Sequence, residues 1–219
     1  MEQTVDVEEI KLLESLSAEE VAKLTERATT RNYKKNSLIM NEGDESDSLY
    51  IIESGKVKIF VSDEDGKEFT LNLLGPGDYF GELALIDGGP RSSSAITTEE
   101  SKLLIIHKPY FEQFLKQHPE VSLRIIQGMS RLLRQLTDKS RGLALMTVYE
   151  RVALTLLRMA EPVDGVMTIK PKITHADLAS MVGCRREMVS RIMSDLSKGE
   201  YIQTTDNATR LLKKLPARW

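Results

Sequence analysis

Cysteine is almost absent from this 219-residue chain: Cys184 stands alone. One thiol cannot close an intrachain disulfide, build a zinc knuckle or ligate an iron–sulfur cluster. Histidine is nearly as scarce, and His107, His118 and His175 are too scattered for a ligand spacing such as HExxH. Each reads as a surface or packing residue, so no metal, haem or iron–sulfur cofactor is expected. No run of about 18 apolar residues exists, which excludes an ordinary transmembrane helix. The opening, MEQTVDVEEIKLLESLSAEE, is acidic and lacks the basic-then-apolar start of a secretory signal, so a cytoplasmic location is expected. Neither a nucleophile–base pair nor a metal motif is visible. No catalytic residue is assigned, and the chain is read as a non-enzyme.

What is present is ordinary for a soluble globular protein, with 41% apolar and 29% charged residues, and long enough for two modest domains. The net charge of −3 hides an asymmetry: residues 1–118 sum to −10 and residues 119–219 to +7. Such a split points to a polyanion meeting the second half alone.

Along the chain the hydrophobic period changes twice. Residues 7–27 carry a helical pattern, with Ser17 and Glu20 spaced as a capping box. From about residue 30, SLYIIESGKVKIFVSDEDGKEFTLNLLGPGDYF alternates apolar and polar in short runs broken by Gly55, DEDGK and GPGD. This predicts antiparallel strands joined by hairpins, with SKLLIIHK at 101–108 as a further strand. Near Pro119 the period becomes helical again. Ile126, Met129, Leu133, Leu136, Ser140 and Leu143 recur three and four apart, the rhythm of a coiled-coil seam, and predict a homodimer interface. An amphipathic helix packed on its own domain is the alternative. Arg131, Arg134 and Lys139 are placed on the solvated outer face. VYERVALTLLRMAE predicts another helix ended by PVDG. A strand at VMTIKPKI follows, then two short helices and a hairpin turning at Asp206–Asn207.

Those two short helices lie in THADLASMVGCRREMVSRIM. With Gly183 as the tight turn, Leu178, Ala179 and Val182 face inward from the first helix, and Cys184, Val189 and Ile192 from the second. Arg185, Arg186, Glu187, Ser190 and Arg191 are left on the outer face. Arginine offers a bidentate fork to guanine and glutamate accepts from the cytosine amino group, while Ser190 and Arg185 suit phosphates. A helix-turn-helix on double-stranded DNA is the reading; a solvated helical hairpin is the alternative.

A second stretch, YFGELALIDGGPRSSSA, sets Glu82 after Gly81 and Arg91 after Pro90. A short helix beginning at GELAL directs its first N–H groups outward to an anion. A loop through Pro90 can return Arg91 to the same point as a charge-assisted second grip. Glu82 would suit a sugar hydroxyl. The ligand that carries phosphate and ribose hydroxyl on one compact ring is a cyclic nucleotide. Spacing alone leaves this reading level with a Glu82–Arg91 ion pair closing the loop.

FGELALIDGGPRSSSA resembles the phosphate-binding cassette of cyclic-nucleotide-binding domains. From about residue 10 to 212, through GDESDSLYIIESGKVKIF, DEDGKE, the long helix and VGCRREMVSRI, the chain resembles the bacterial cAMP receptor protein (CRP/FNR) family of transcription regulators. The resemblance implies an α+β chain in three parts. Residues 1–118 would form a double-stranded β-helix (jelly-roll) cyclic-nucleotide-binding domain, 119–146 a dimerisation helix and 147–219 a winged helix-turn-helix. It places Gly81, Glu82, Leu83 and Ala84 in the cradle, with Glu82 on the ribose 2′-hydroxyl, and Arg91 and Ser92 on the cyclic phosphate. Ile59, Leu71 and Asn72 would line the pocket. Thr137, next to Leu136, would bond the adenine from the partner subunit. Arg186, Glu187 and Arg191 match the residues that read TGTGA-type half-sites.

Three departures from the family pattern stand out. Leu136 replaces a second base-contacting hydroxyl, the loop from Glu82 to Arg91 is one residue shorter, and the linker EPVDGVMT is shorter where the family contacts RNA polymerase. The expected function is a cAMP-responsive, homodimeric regulator of palindromic sites with RNA polymerase as a further partner. Ser92, a hydroxyl beside the arginine, keeps cGMP open as the ligand. Cyclic di-GMP, no nucleotide at all, and a redox- or gas-sensing role within the same family stay open as well.

Overall fold

The computed structural model describes residues 23–216; the capping box predicted at Ser17 and Glu20 and most of the 7–27 helix lie outside them. The chain divides into two compact units. One holds the residues up to Val61 together with Asn72–Arg134, the other Ser62–Leu71 together with the residues from Gln135 on.

Among the described residues, eight strands build the first part: β1 (Thr29–Tyr33), β2 (Leu38–Met40), β3 (Ser48–Ser54), β4 (Val57–Ser62), β5 (Glu68–Leu74), β6 (Tyr79–Phe80), β7 (Ser94–Thr97) and β8 (Ser101–His107). They form two four-stranded sheets, ordered β1-β8-β3-β6 and β2-β7-β4-β5. The chain passes repeatedly from one sheet to the other, a jelly-roll connectivity. Turn chemistry sets the hairpins. In DEDGK, Asp63 Oδ1 accepts from the backbone N–H of Asp65 (3.1 Å) and Lys67 (2.8 Å), and in GPGD the Asp78 carboxylate accepts from Gly75 N (2.7 Å). Strand register does the rest, since Leu49 pairs with Ile106 and Ile52 with Leu103, and all four are fully buried. Each such side chain contributes about 1.5–3 kcal/mol by leaving water.

The helices described alongside these strands are α1 (Glu82–Asp87), α2 (Lys108–Gln117) and α3 (Pro119–Leu145). Phe111, Phe114, Val121 and Ile125 join Leu49, Ile51 and Ile106 in one core. Beyond Ile125 the apolar row of α3 turns outward, with Ile126 56%, Leu133 66% and Leu143 43% exposed. Lys139 corrects the expectation of a solvated outer face. Its ammonium is partly buried and donates to the carbonyls of Thr70 (3.3 Å) and Leu71. Because β5 is the outer strand of its sheet, every second carbonyl points away from β4 and needs another donor. Helical periodicity carries no trace of that demand.

The C-terminal part contains α4 (Val148–Met159), β9 (Glu161–Val163), β10 (Val166–Ile169), α5 (His175–Val182), α6 (Arg186–Lys198), β11 (Ile202–Thr204) and β12 (Thr209–Leu211). Thr147 starts α4 with a full capping box to Glu150. The strands form one sheet, ordered β11-β12-β10-β9. Val152, Leu156, Leu178, Val189 and Leu196 are fully buried in the core of this part. The hairpin turns at Asp206–Asn207, where Thr205 N–H donates to Ala208 O at 2.8 Å. PVDG does more than end α4: Glu161–Val163 pairs antiparallel with β10, a strand hidden by its proline. The whole is α+β, a β-sheet domain, a long helix and a helix-turn-helix.

Gly183 ends α5 in the left-handed region, at φ 68°. A Cβ there would stand 2.9 Å from a Leu143 methyl and 3.3 Å from the Phe69 ring. Gly183→Ala is therefore expected to lower stability by about 1–2 kcal/mol in urea denaturation. An unchanged midpoint would show that the turn does not need glycine.

Candidate functional site

Strand β6 ends at Phe80 and the chain turns on Gly81, whose φ of 85° is open to glycine and strained for other residues. Gly81 N-caps α1 without a side-chain acceptor for the first-turn N–H groups. Glycine is required twice over, because a Cβ at this point would collide with Arg91 Nη1. Gly88 closes α1 in the left-handed region, Asp87 accepts from Gly89 N at 2.8 Å, and Pro90 leads into Arg91.

Arg91 is 4% exposed. Its Nη1 donates to Gly81 O (2.9 Å) and its Nη2 to Ser48 O (2.7 Å), with the guanidinium carbon 5.5 Å from the centre of the Tyr50 ring. Its backbone is fastened as well, since Arg91 N donates to Asp44 O and Arg91 O accepts from Gly43 N, both at 2.8 Å. Burial pulls the guanidinium pKa down, while Tyr50, Asp47, Glu82 and Asp44 favour its charge. A guanidinium has five N–H donors in a planar fork, so the two carbonyls leave donors for an oxyanion.

Glu82 is 8% exposed, and burial raises its pKa against smaller opposing pulls from its own backbone N–H and from Arg91. No Glu82–Arg91 ion pair closes the loop; the guanidinium is held by carbonyls instead. Ala84 and Ile59 are buried, Leu83 is 37% exposed, and the Asn72 amide oxygen accepts from Leu73 N at 2.9 Å. Ser92 is exposed, whereas Ser93 and Ser94 are buried and Ser94 Oγ accepts from Glu42 N at 2.9 Å. Gly81 and Arg91 are thus brought into direct contact. Ile59, Asn72, Gly81–Ala84, Arg91 and Ser92 belong to the first unit; Leu71, Leu136 and Thr137 belong to the second. Sequence reasoning assigned no role to Ser48 or Tyr50, which hold the guanidinium. The bonding atom of Ser48 is a backbone carbonyl, which no side chain announces.

In the second unit Thr174 caps α5, its hydroxyl accepting from Asp177 N at 3.1 Å. Arg185, in extended conformation, precedes the first turn of α6. Arg185, Arg186, Glu187 and Arg191 are exposed, and Val189 and Ile192 are buried. The Ser190 hydroxyl lies 2.9 Å from His175 Nδ1, linking α6 to α5. Burial pushes the Cys184 thiol pKa up, with Arg151 and Lys67 opposing. Among the described residues no cluster of three or more His, Cys, Asp and Glu could hold a metal, and no helix is long and apolar enough to cross a membrane.

Known proteins share both halves. Residues 30–118 match the cyclic nucleotide-binding domain, and residues 150–215 the Crp-like helix-turn-helix domain. The chain is 32% identical over 187 residues, 84% of each protein, to a CRP-like cAMP-activated global transcriptional regulator of Mycobacterium tuberculosis. It is 33% identical, over 85% of each protein, to the cyclic AMP receptor protein of Thermus thermophilus. Among solved structures, the c-di-GMP responsive global regulator CLP of Xanthomonas campestris superposes with a TM-score of 0.80 at 23% identity, covering 90% of this chain and 100% of that one. The Thermus thermophilus catabolite activator protein gives 0.56 at 30% identity, covering 92% and 93%.

The burial of Glu82 has a measurable sign. Its pKa in the fold lies above the ordinary 4.5. As pH rises the unfolded chain therefore loses this proton first, and stability falls from about pH 4.5 until the folded carboxyl has ionised. Without ligand, Glu82→Gln is expected to be more stable than the parent at about pH 7 and to flatten this part of the profile. Urea midpoints between about pH 4 and about pH 8 check it; a variant less stable at neutral pH would contradict the assignment.

Proposed function

The chain belongs to the CRP/FNR family, whose members pair a cyclic-nucleotide-binding domain with a helix-turn-helix, and from that premise we propose that its ligand is cAMP and its target a palindromic DNA site bound by a homodimer. The observation that carries this reading is Arg91, a buried guanidinium bonded to Gly81 O at the start of α1. A cyclic phosphate accepts from the first-turn N–H groups of α1 and from the remaining Arg91 donors, while the Glu82 carboxylate accepts from the ribose hydroxyl. By the family resemblance, Leu83 and Ala84 complete the cradle at the start of α1, Ile59, Leu71 and Asn72 line the pocket, and Thr137, next to Leu136, reaches the adenine from the partner subunit. Relatives at 32–33% identity named for cAMP support that base. Ser92, exposed beside Arg91, supports cGMP as the second reading.

In the dimer, the exposed Ile126, Leu133 and Leu143 meet their counterparts along α3, together with Met129, Leu136 and Ser140. Two-fold symmetry then sets half-sites about one helical turn apart. Arg186, Glu187 and Arg191 read bases, and Arg185 holds phosphate. The short linker through β9 and β10 corresponds by resemblance to the region that the family's prototype turns to RNA polymerase, and we include that contact in the proposal.

Calorimetry with cAMP, cGMP and cyclic di-GMP tests the ligand. Sub-millimolar cAMP binding is expected, weakened about a hundredfold or more in Arg91→Ala. Binding of cyclic di-GMP with no cAMP binding would overturn the reading. On DNA, Arg186→Ala is expected to cost about 1–3 kcal/mol at one base pair and to relax preference there. Equal weakening on every sequence would make Arg186 a phosphate contact instead.

A further inference from the structure

Thr70 is 3% exposed, yet it sits near the tip of a hairpin. Its Oγ1 lies 2.7 Å from Ser180 Oγ, on α5 of the helix-turn-helix. Its carbonyl, with that of Leu71, takes the Lys139 ammonium of α3. Next to it, the Phe69 ring lies 3.3 Å from where a Cβ of Gly183 would stand. Burial pulls the Lys139 pKa down, Arg158 adding to the effect, so the partly buried ammonium needs both carbonyls. Residues 62–71, the end of β4, the turn and the first part of β5, accordingly group with the residues from 135 on.

We propose that the polar chain Lys139–Thr70–Ser180 positions α5, and that through it nucleotide binding is coupled to DNA binding. The inference rests on the function proposed above. Thr70 is followed directly by Leu71 and Asn72, the residues read there as pocket lining, so a shift of β5 on ligand binding moves the Thr70 hydroxyl and carbonyl with it. A hydroxyl pair is suited to carry such a shift. It is directional, and a buried partner left unpaired costs about 1–3 kcal/mol. Apolar contact alone tolerates sliding; the Thr70–Ser180 bond does not. Thr70, Ser180 and Lys139 are positioning residues and touch neither ligand.

The test uses the full-length protein, cAMP and a duplex with TGTGA half-sites at one fixed salt concentration. The coupling factor is the ratio of DNA dissociation constants without and with saturating cAMP. Thr70→Val, Ser180→Ala and Lys139→Met are each expected to lower it at least about threefold, with cAMP affinity of the free protein nearly unchanged. The double variant Thr70→Val/Ser180→Ala removes both hydroxyls, so it is expected to regain stability over the single variants but not to regain coupling. That split separates positioning from mere support of the fold. Parental coupling in the double variant, or in all three singles, would overturn the inference and leave the proposed function standing. A coupling factor of one in the parent protein would overturn both.

Discussion

A guanidinium withdrawn from water holds this molecule's ligand-binding half in order. Arg91 bonds the carbonyl of Gly81 and the carbonyl of Ser48, and its own backbone is tied to Gly43 and Asp44. One side chain thereby fixes the start of α1, the beginning of β3 and the loop before it. The arrangement costs desolvation, which its position over the Tyr50 ring and the nearby acidic groups offset in part. An anion arriving at the start of α1 finds the charge already aimed and ordered. Such a site loses little of its binding energy to reorganisation.

Glu82 completes that logic from the other side. A buried carboxyl with no ion-pair partner among the described residues destabilises the fold without ligand. A ribose hydroxyl would supply the donor the environment withholds. On the proposed reading, stability is given up at the residue that recognises the ribose. A response in DNA binding requires more than affinity, since a nucleotide shifts the molecule only toward whichever state it binds more tightly. The Thr70–Ser180 bond and the Lys139 clamp are the discrete, directional contacts that the proposed coupling would use.

Much of this was legible in the residues. Gly55, DEDGK and GPGD marked the hairpins because Asp63 and Asp78 make local turn bonds that need no tertiary partner. Gly183, with small and apolar residues around it, marked the helix-turn-helix because its left-handed backbone belongs to glycine. Less local features escaped. Strand β9 contains Pro162, which propensity reads as a breaker, yet on an edge strand the missing donor does no harm. Lys139 fits a solvated helical face by period, but the carbonyls it serves lie on a strand far away in sequence. Nothing in the sequence pairs Ser190 with His175, fifteen residues earlier, although the structure sets them 2.9 Å apart. For the cradle, the pattern named Gly81, Glu82 and Arg91, and tertiary structure supplied Ser48 and Tyr50.

A crystal structure of the protein grown with cAMP bears most directly on the central claim. Phosphate oxygens within hydrogen-bond distance of the Gly81–Ala84 backbone amides and of the Arg91 guanidinium, with the Glu82 carboxylate on the ribose, are the expected result. Density for the nucleotide elsewhere, with Arg91 still bonded to Ser48 and Gly81 alone, would contradict it.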